Sequence, residues 1–306
     1  MVNNKITSIK NKCLSCDSDE YTIIYSGPIR SGSFSKETDK PFDVVKCSKC
    51  GLTKLKDFPK VDYDSSSYRD DYNDTSDIED YIQLHDSEQS PRIERIGIEQ
   101  FRNKTVLDYG CGGGAFLDVI KGVAIHTIAI EPFDGYHKSL QERGHEVFKY
   151  AKDAKKYEGK VDIVTTFGVI EHVKNPLAML TDIYDLLSEN GTSYIETDNL
   201  NDVLMHFDIP EFNRFFYRTA HYWYFDDNSL KNLCQKAGFN NVKSGFRHGY
   251  HLSNTFKWLK DRRPTGDDQL DFIDSVLNEV WRASLEKSGL AESVLTQHFV
   301  EFGWKK

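Results

Sequence analysis

The 306-residue chain contains no apolar run approaching the roughly 18–20 residues that a membrane helix needs. Its opening, MVNNKITSIKNK, lacks the apolar core of a secretory signal. A cytoplasmic, reducing location with no membrane partner is the resulting expectation. Positive charge is also scarce. Lysine and arginine number 39 against 48 acidic residues, a formal charge of -9. Proteins that grip nucleic acid by simple electrostatics show a basic patch, so a nucleic-acid partner is disfavoured. Six cysteines are too few for a disulfide scaffold in a chain this long. Internal repeats and long low-complexity tracts are absent as well. What remains, at 39% hydrophobic and 28% charged, is the composition of a soluble globular protein.

The cysteines are few but patterned. Four of them form two C-x-x-C pairs, Cys13 with Cys16 and Cys47 with Cys50, the second followed by Gly51. Four thiolates suffice for a closed tetrahedral zinc site. A thioredoxin-like redox pair is the rival, and it needs only one pair. YTIIYSG and FDVVKC, between the pairs, are rich in β-branched and aromatic residues and read as strands. Residues 1–60 therefore read as a zinc-ribbon domain.

Residues 61–103 read as an acidic linker and helix. The acidic stretch is either a solvated, partly irregular segment or one ordered over a ligand by Tyr63, Tyr68 and Tyr72. Ser90-Pro91 predicts a helix start, serine as N-cap and proline at the first position, running to about Asn103.

From Lys104 short apolar runs alternate with amphipathic ones. TVLDYG, AIHTIAIEP, HEVFKY, VDIVTTFGV and TSYIETDN read as strands. GGAFLDVIKG, DGYHKSLQERG and PLAMLTDIYDLLSENG read as helices between them. This alternation predicts an α/β fold over residues 104–245: a Rossmann-like, doubly wound, mostly parallel sheet with helices on both faces. After it, Ile273, Val276, Leu277, Val280, Trp281 and Leu285 fit an amphipathic helix, and residues 290–299 suggest another. Residues 246–306 thus read as a helical extension, a candidate lid or homodimer contact.

VLDYGCGGGAFLDV, at 106–119, carries the most information. In a doubly wound sheet the ligand sits by the first strand–helix turn. Glycines there let the backbone turn tightly and approach the ligand. Glu131 ends the second strand, where a carboxylate can accept hydrogen bonds from ribose hydroxyls. A dinucleotide fingerprint would read G-x-G-x-x-G, whereas this turn reads G-C-G-G-G with Asp108 two residues before it. The stretch resembles the first motif of class I S-adenosylmethionine-dependent methyltransferases, LDxGCGxG. A second stretch agrees: Ile170-Glu171-His172-Val173 with Pro176 is similar to that family's EH loop and helix start.

The resemblance covers about residues 104–245, and what it implies is specific. S-adenosylmethionine would be held by Asp108, Gly110, Gly112, Gly114 and Glu131, with Tyr150 and Ala151 near the adenine and Phe167 beside the methyl-transfer site. The layout also resembles an N-terminal zinc-binding unit ahead of some bacterial methyltransferases of nucleotide-linked sugars. That implies structural zinc on the four cysteines.

An alcohol acceptor must lose a proton, so a histidine or carboxylate should face the methyl group. His172, after the fourth strand, and His221, in the aromatic segment EFNRFFYRTAHYWYF, are the candidates for catalysis. Glu171 and His172 alone offer a metal only two ligands. Tyr68, Tyr72, Arg218 and Tyr222 are the candidates for acceptor contact, and Arg214 could assist Arg218 in gripping a phosphorylated or sugar-bearing acceptor. The leading expectation is methyl transfer to a small acceptor, nucleotide-sugar or otherwise carbohydrate-derived, at oxygen. Alternatives are transfer to nitrogen or carbon, or to a quinone-like phenol. A nucleic-acid-directed zinc-ribbon protein is the alternative of a different class.

Overall fold

A computed structural model of the chain describes residues 6–8, 12–33, 36–71, 75–264 and 275–299. The N-terminal unit is an antiparallel sheet of β1 (Ile6–Ser8), β2 (Glu20–Gly27), β3 (Phe42–Cys47) and β4 (Thr53–Leu55). Val44, Val45, Leu52 and Leu55 are fully buried, while Ile23 and Ile24 of β2 are only partly buried.

Among its described residues the acidic stretch is mostly helical rather than irregular. α1 (Ser66–Asp71) and α2 (Ile78–Ile96) occupy it. The start expected at Ser90-Pro91 is not one, because α2 runs through Pro91. Its N-cap is Asp77, whose carboxylate accepts from the amides of Glu79 and Asp80 at 2.9 and 3.1 Å. Proline interrupts the ladder by leaving the carbonyl four residues back without its donor. That residue is Ser87, and both Ser87 and Pro91 are exposed, so water can take the donor's place. Ile78, Tyr81, Ile93 and Ile96 hold the helix against the buried cluster around Phe101, Val106 and Phe116.

The alternating region then unfolds as expected: β5 (Thr105–Tyr109), α3 (Ala115–Ile120), β6 (His126–Ile130), α4 (His137–Glu142), β7 (Glu146–Phe148) and β8 (Val161–Phe167). α5 (Pro176–Leu186) and β9 (Leu187–Asp198) follow. The helix stops one turn earlier than expected. Leu187 is already extended, and Asn190 takes φ 63°, the left-handed conformation asparagine tolerates.

Next come α6 (Pro210–Phe216), β10 (Trp223–Tyr224), α7 (Asp227–Lys236), β11 (Asn240–Arg247), α8 (Leu252–Asp261), α9 (Ser275–Ser288) and β12 (Ser293–Phe299). The large sheet has the order β11-β12-β9-β8-β5-β6-β7, parallel from β9 through β7 and antiparallel beyond.

Two further features were not expected. Residues 293–299 form a strand, not a helix, inserted between β9 and β11. Both neighbours would otherwise present open edges, and pairing them outweighs local helix preference. β10, from the alternating region, completes the ribbon sheet by pairing with β4. The four-strand ribbon is therefore sewn onto the sheet that follows it. The amphipathic helix expected near Val276 is α9; Leu285 is buried, while Val276, Leu277 and Val280 remain exposed and Ile273 lies outside the described residues.

Candidate active site

The first turn after β5 has the shape its glycines suggest. Gly110 and Gly112 lie at φ 76° and 54°, a region L side chains avoid. A Cβ on Gly112 would sit 2.1 Å from the Tyr81 hydroxyl, and one on Gly110 2.7 Å from Val169. Glu131, at the end of β6, takes the Gly112 amide at 2.9 Å and the Phe133 amide at 2.8 Å. Its carboxylate also meets Arg69 of α1 at 3.2 Å, with both side chains buried. Asp108 accepts the Thr165 hydroxyl at 2.8 Å, and burial pushes its carboxyl up to about 7.

This turn opens into a cavity of about 880 Å³, within the range of small-molecule sites. One end is walled by Asp108, Gly110, Gly112, Glu131, Tyr150 and Phe167. α1 and α2 roof it with Tyr68, Arg69, Tyr81, His85 and Arg92. The other end passes His172 into a chamber of Phe212, Phe216, Tyr222, Tyr250 and Trp258, set with the polar groups of Asp198, Arg218, Asn254 and Glu292.

His172 and His221 meet edge to face, with ring centroids 4.5 Å apart. His172 Nδ1 lies 2.9 Å from the Ala220 carbonyl, which can only accept. That bond assigns the proton to Nδ1 and leaves the Nε2 lone pair free of it. Burial, then the Arg218 guanidinium, holds the His172 imidazole down at about 3. His221 is depressed well below its ordinary value for the same reasons. Both rings are therefore neutral at working pH. His221 Nδ1 makes no hydrogen bond and lies 3.6 Å from Asp198, which pairs with Arg218 at 2.6 Å. Glu171 Oε2 is buried without a partner; desolvation, reinforced by Asp198, pushes its carboxyl up to about 8.

A family model described as "Methyltransferase domain" matches residues 83–244, about half of the chain. The chain belongs to that family. A SAM-dependent methyltransferase of known structure from Archaeoglobus fulgidus shares the fold, with a TM-score of 0.50 at 19% identity over 76% of this chain and 98% of its own. Ubiquinone biosynthesis O-methyltransferase of Shewanella pealeana is 29% identical over 32% of this chain and 45% of its own. tRNA U34 carboxymethyltransferase of Campylobacter jejuni is 24% identical over 46% of this chain and 51% of its own. The chain thus spans about half the length of the curated relatives it matches.

Within the methyltransferase domain most expected residues converge, with informative exceptions. Gly114 lies behind the turn, where a Cβ would meet Leu140 at 2.4 Å, and Ala151 is buried away from the wall. His221 borders a smaller adjoining cavity rather than the main one. Tyr72 lies outside the described residues. Arg214 does not reach the cavity: it pairs with Glu211 at 3.2 Å on its own helix and with Glu37 at 3.9 Å. Three residues on, the chain has left the helix at Tyr217, so Arg218 faces inward instead.

Sequence reading missed Arg69, Tyr81 and Arg92 from the roof, and Asp198, Asn254 and Glu292 from the far chamber. One of them carried a usable signal. Asp198 closes the fifth strand of the alternating region, and strand ends are where such sheets bind ligands.

The four ribbon thiols form a separate cluster. Cys13 and Cys50 are 3.4 Å apart, Cys16 and Cys47 are 3.5 Å apart, and all four sulfurs lie within 4.8 Å of one another. Tetrahedral Zn–S bonds of about 2.3 Å place sulfurs about 3.8 Å apart, so the donor set and its spacing fit zinc.

Among the described residues no helix is long and apolar enough to cross a membrane.

Proposed function

We propose that the protein transfers a methyl group from S-adenosylmethionine to the oxygen of a small, carbohydrate-derived acceptor, a nucleotide-linked sugar being the leading class. The observation that carries this reading is the single cavity running from the glycine turn past His172 into a chamber that mixes aromatic walls with carboxylates and an amide. Hydroxyl-rich ligands suit such a lining. Their O–H groups can bond to Asp198, Asn254 and the unpartnered Glu292 Oε2, and their carbon faces lie on Tyr222 or Trp258.

The cofactor residues fit the group they would hold. Gly110 and Gly112 bring bare backbone to the cavity, Glu131 offers a carboxylate for ribose hydroxyls once Arg69 yields, and Tyr150 and Phe167 flank the space. When bound, the cofactor supplies an electrophilic methyl on a sulfonium. The chain's own task is to hold the acceptor oxygen in line and exclude water, which the α1–α2 roof supports. His172, with its Nε2 lone pair unprotonated, receives the acceptor proton; His221 and Asp198 stand behind it. The four cysteines hold structural zinc. Incubation with S-adenosylmethionine and pools of nucleotide sugars should yield a product heavier by one methyl group. A pool that stays unmethylated while phenols are methylated would overturn the sugar reading. That second reading, a quinone-like phenol, draws support from Phe212, Phe216 and Trp258 and from the ubiquinone-pathway relative.

A further inference from the structure

Beside the main cavity lies a second space of about 240 Å³. Arg30 and Gly32 of the ribbon line it together with Tyr68, His172, Arg218 and His221. Tyr68, His172 and Arg218 also line the main cavity, so the two spaces share a wall. We propose that this vestibule is an oxyanion subsite, in which Arg30 from the ribbon and Arg218 from the methyltransferase domain hold a phosphoryl or carboxylate group of the acceptor.

The backbone of Arg30 is clamped. Its amide donates to the carbonyls of Arg214 and Tyr217 at 3.0 and 2.9 Å, and its carbonyl accepts from Thr219 at 2.9 Å. The side chain therefore leaves from a fixed point, with its guanidinium 4.4 Å over the Phe215 ring. Arg218 spends one terminal nitrogen on Asp198, while its buried Nε has no hydrogen-bond partner. A buried N–H without an acceptor is costly, and a bound oxyanion would supply that acceptor. Guanidinium presents its donors as a planar fork that matches carboxylate and phosphoryl oxygens.

The charge balance points the same way. Arg30 and Arg218 both line the vestibule, Asp198 pairs with Arg218 at 2.6 Å, and burial, reinforced by Asp198, raises the Glu171 carboxyl to about 8. Arg218 and Arg30 both act to depress the His221 imidazole. The same field opposes a divalent cation on Glu171, His172 and His221, although their ligand atoms lie within 4.8 Å of one another. An anion seated here would relieve the Arg218 field on His172 and make that ring a stronger base. The ribbon then has a part in substrate choice, because without residue 30 the vestibule has one arginine.

This inference rests on the acceptor lying beside His172, yet its test reads anion binding rather than turnover. Inorganic phosphate is titrated into the full-length protein at constant ionic strength and followed by calorimetry, with acetate in a second arm to separate phosphoryl from carboxylate preference. Arg30→Ala should raise the phosphate Kd tenfold or more, while Arg30→Lys keeps part of the affinity. Unchanged S-adenosylmethionine affinity certifies the fold; if the alanine variant does not fold, Arg30→Gln reads the same loss. Equal phosphate affinity in parent and variant overturns the subsite and leaves the methyl-transfer reading standing. A failed metabolite screen, conversely, leaves the subsite standing.

Discussion

The four-thiol cluster and the histidine pair are both dense groups of ligand-type side chains, and they differ in almost every other respect. The thiols come from two tight C-x-x-C turns joined by one hairpin, β2 and β3. Every donor is alike, and four fill a tetrahedron, leaving no position for substrate. Glu171, His172 and His221 come from two loops about 50 residues apart. They keep buried polar atoms without partners, at Glu171 Oε2 and His221 Nδ1. A saturated cluster holds a fold together. An unsaturated one, open to a cavity, is poised to act on something else.

The sharpest test of that contrast removes one thiol. Cys47→Ser should lose zinc in a metal assay and cost about 4 kcal/mol, a fall of ~10 °C in Tm. A parent protein with no zinc would end the structural reading. On the open side, Gly112→Val forces a β-branched residue into a left-handed conformation against Tyr81. Calorimetry should show S-adenosylmethionine affinity falling by about a hundredfold or more; an unchanged Kd would refute the turn's role.

Next in size are the histidines. His172→Ala should lower kcat by about 10²-fold or more with cofactor affinity retained, as expected for loss of a general base. His221→Ala should cost about tenfold, because its ring borders only the smaller cavity. Reversal of that order would exchange their roles.

The His172 imidazole also makes a pH prediction. It is held at about 3 in the folded protein, against an ordinary 6.5 once unfolded. The unfolded chain therefore binds more protons between those values, and this contribution to stability is complete above 6.5 and lost as pH falls. Comparing parent with His172→Gln, denaturant titration should show the parent losing about 2 kcal/mol more between pH 7 and pH 5. The buried carboxyls of Glu171 and Asp202, raised to about 8 and 7, work in the opposite direction. The single-residue comparison is needed to isolate the imidazole. Smallest of all, Arg214→Ala should change activity less than twofold, since its guanidinium pairs with Glu211 and Glu37 away from the cavity.

Local patterns were legible where chemistry is local. Spacing alone grouped the four cysteines, and the glycine turn announced the cofactor edge before any fold was drawn. Strand-and-helix alternation from Lys104 onward was readable because each element shows its own period. The roof was not. α2 ignores the Ser90-Pro91 signal because Asp77 caps it earlier and packing on Phe101 and Phe116 holds it through the proline.

What the sequence by itself determined is the set of side chains able to do chemistry and the α/β frame that carries them, since both depend on residue type at short spacing. Only the tertiary structure decided which of them meet. Residues 293–299 became a strand because two sheet edges needed pairing, and Asp198, Glu292 and Asn254 reached one chamber from three distant segments. Arg30 came to face Arg218 because the backbone at residue 30 hydrogen-bonds to residues 214–219. Burial and neighbouring charge, which exist only once the chain has folded, set the protonation of His172 and Glu171.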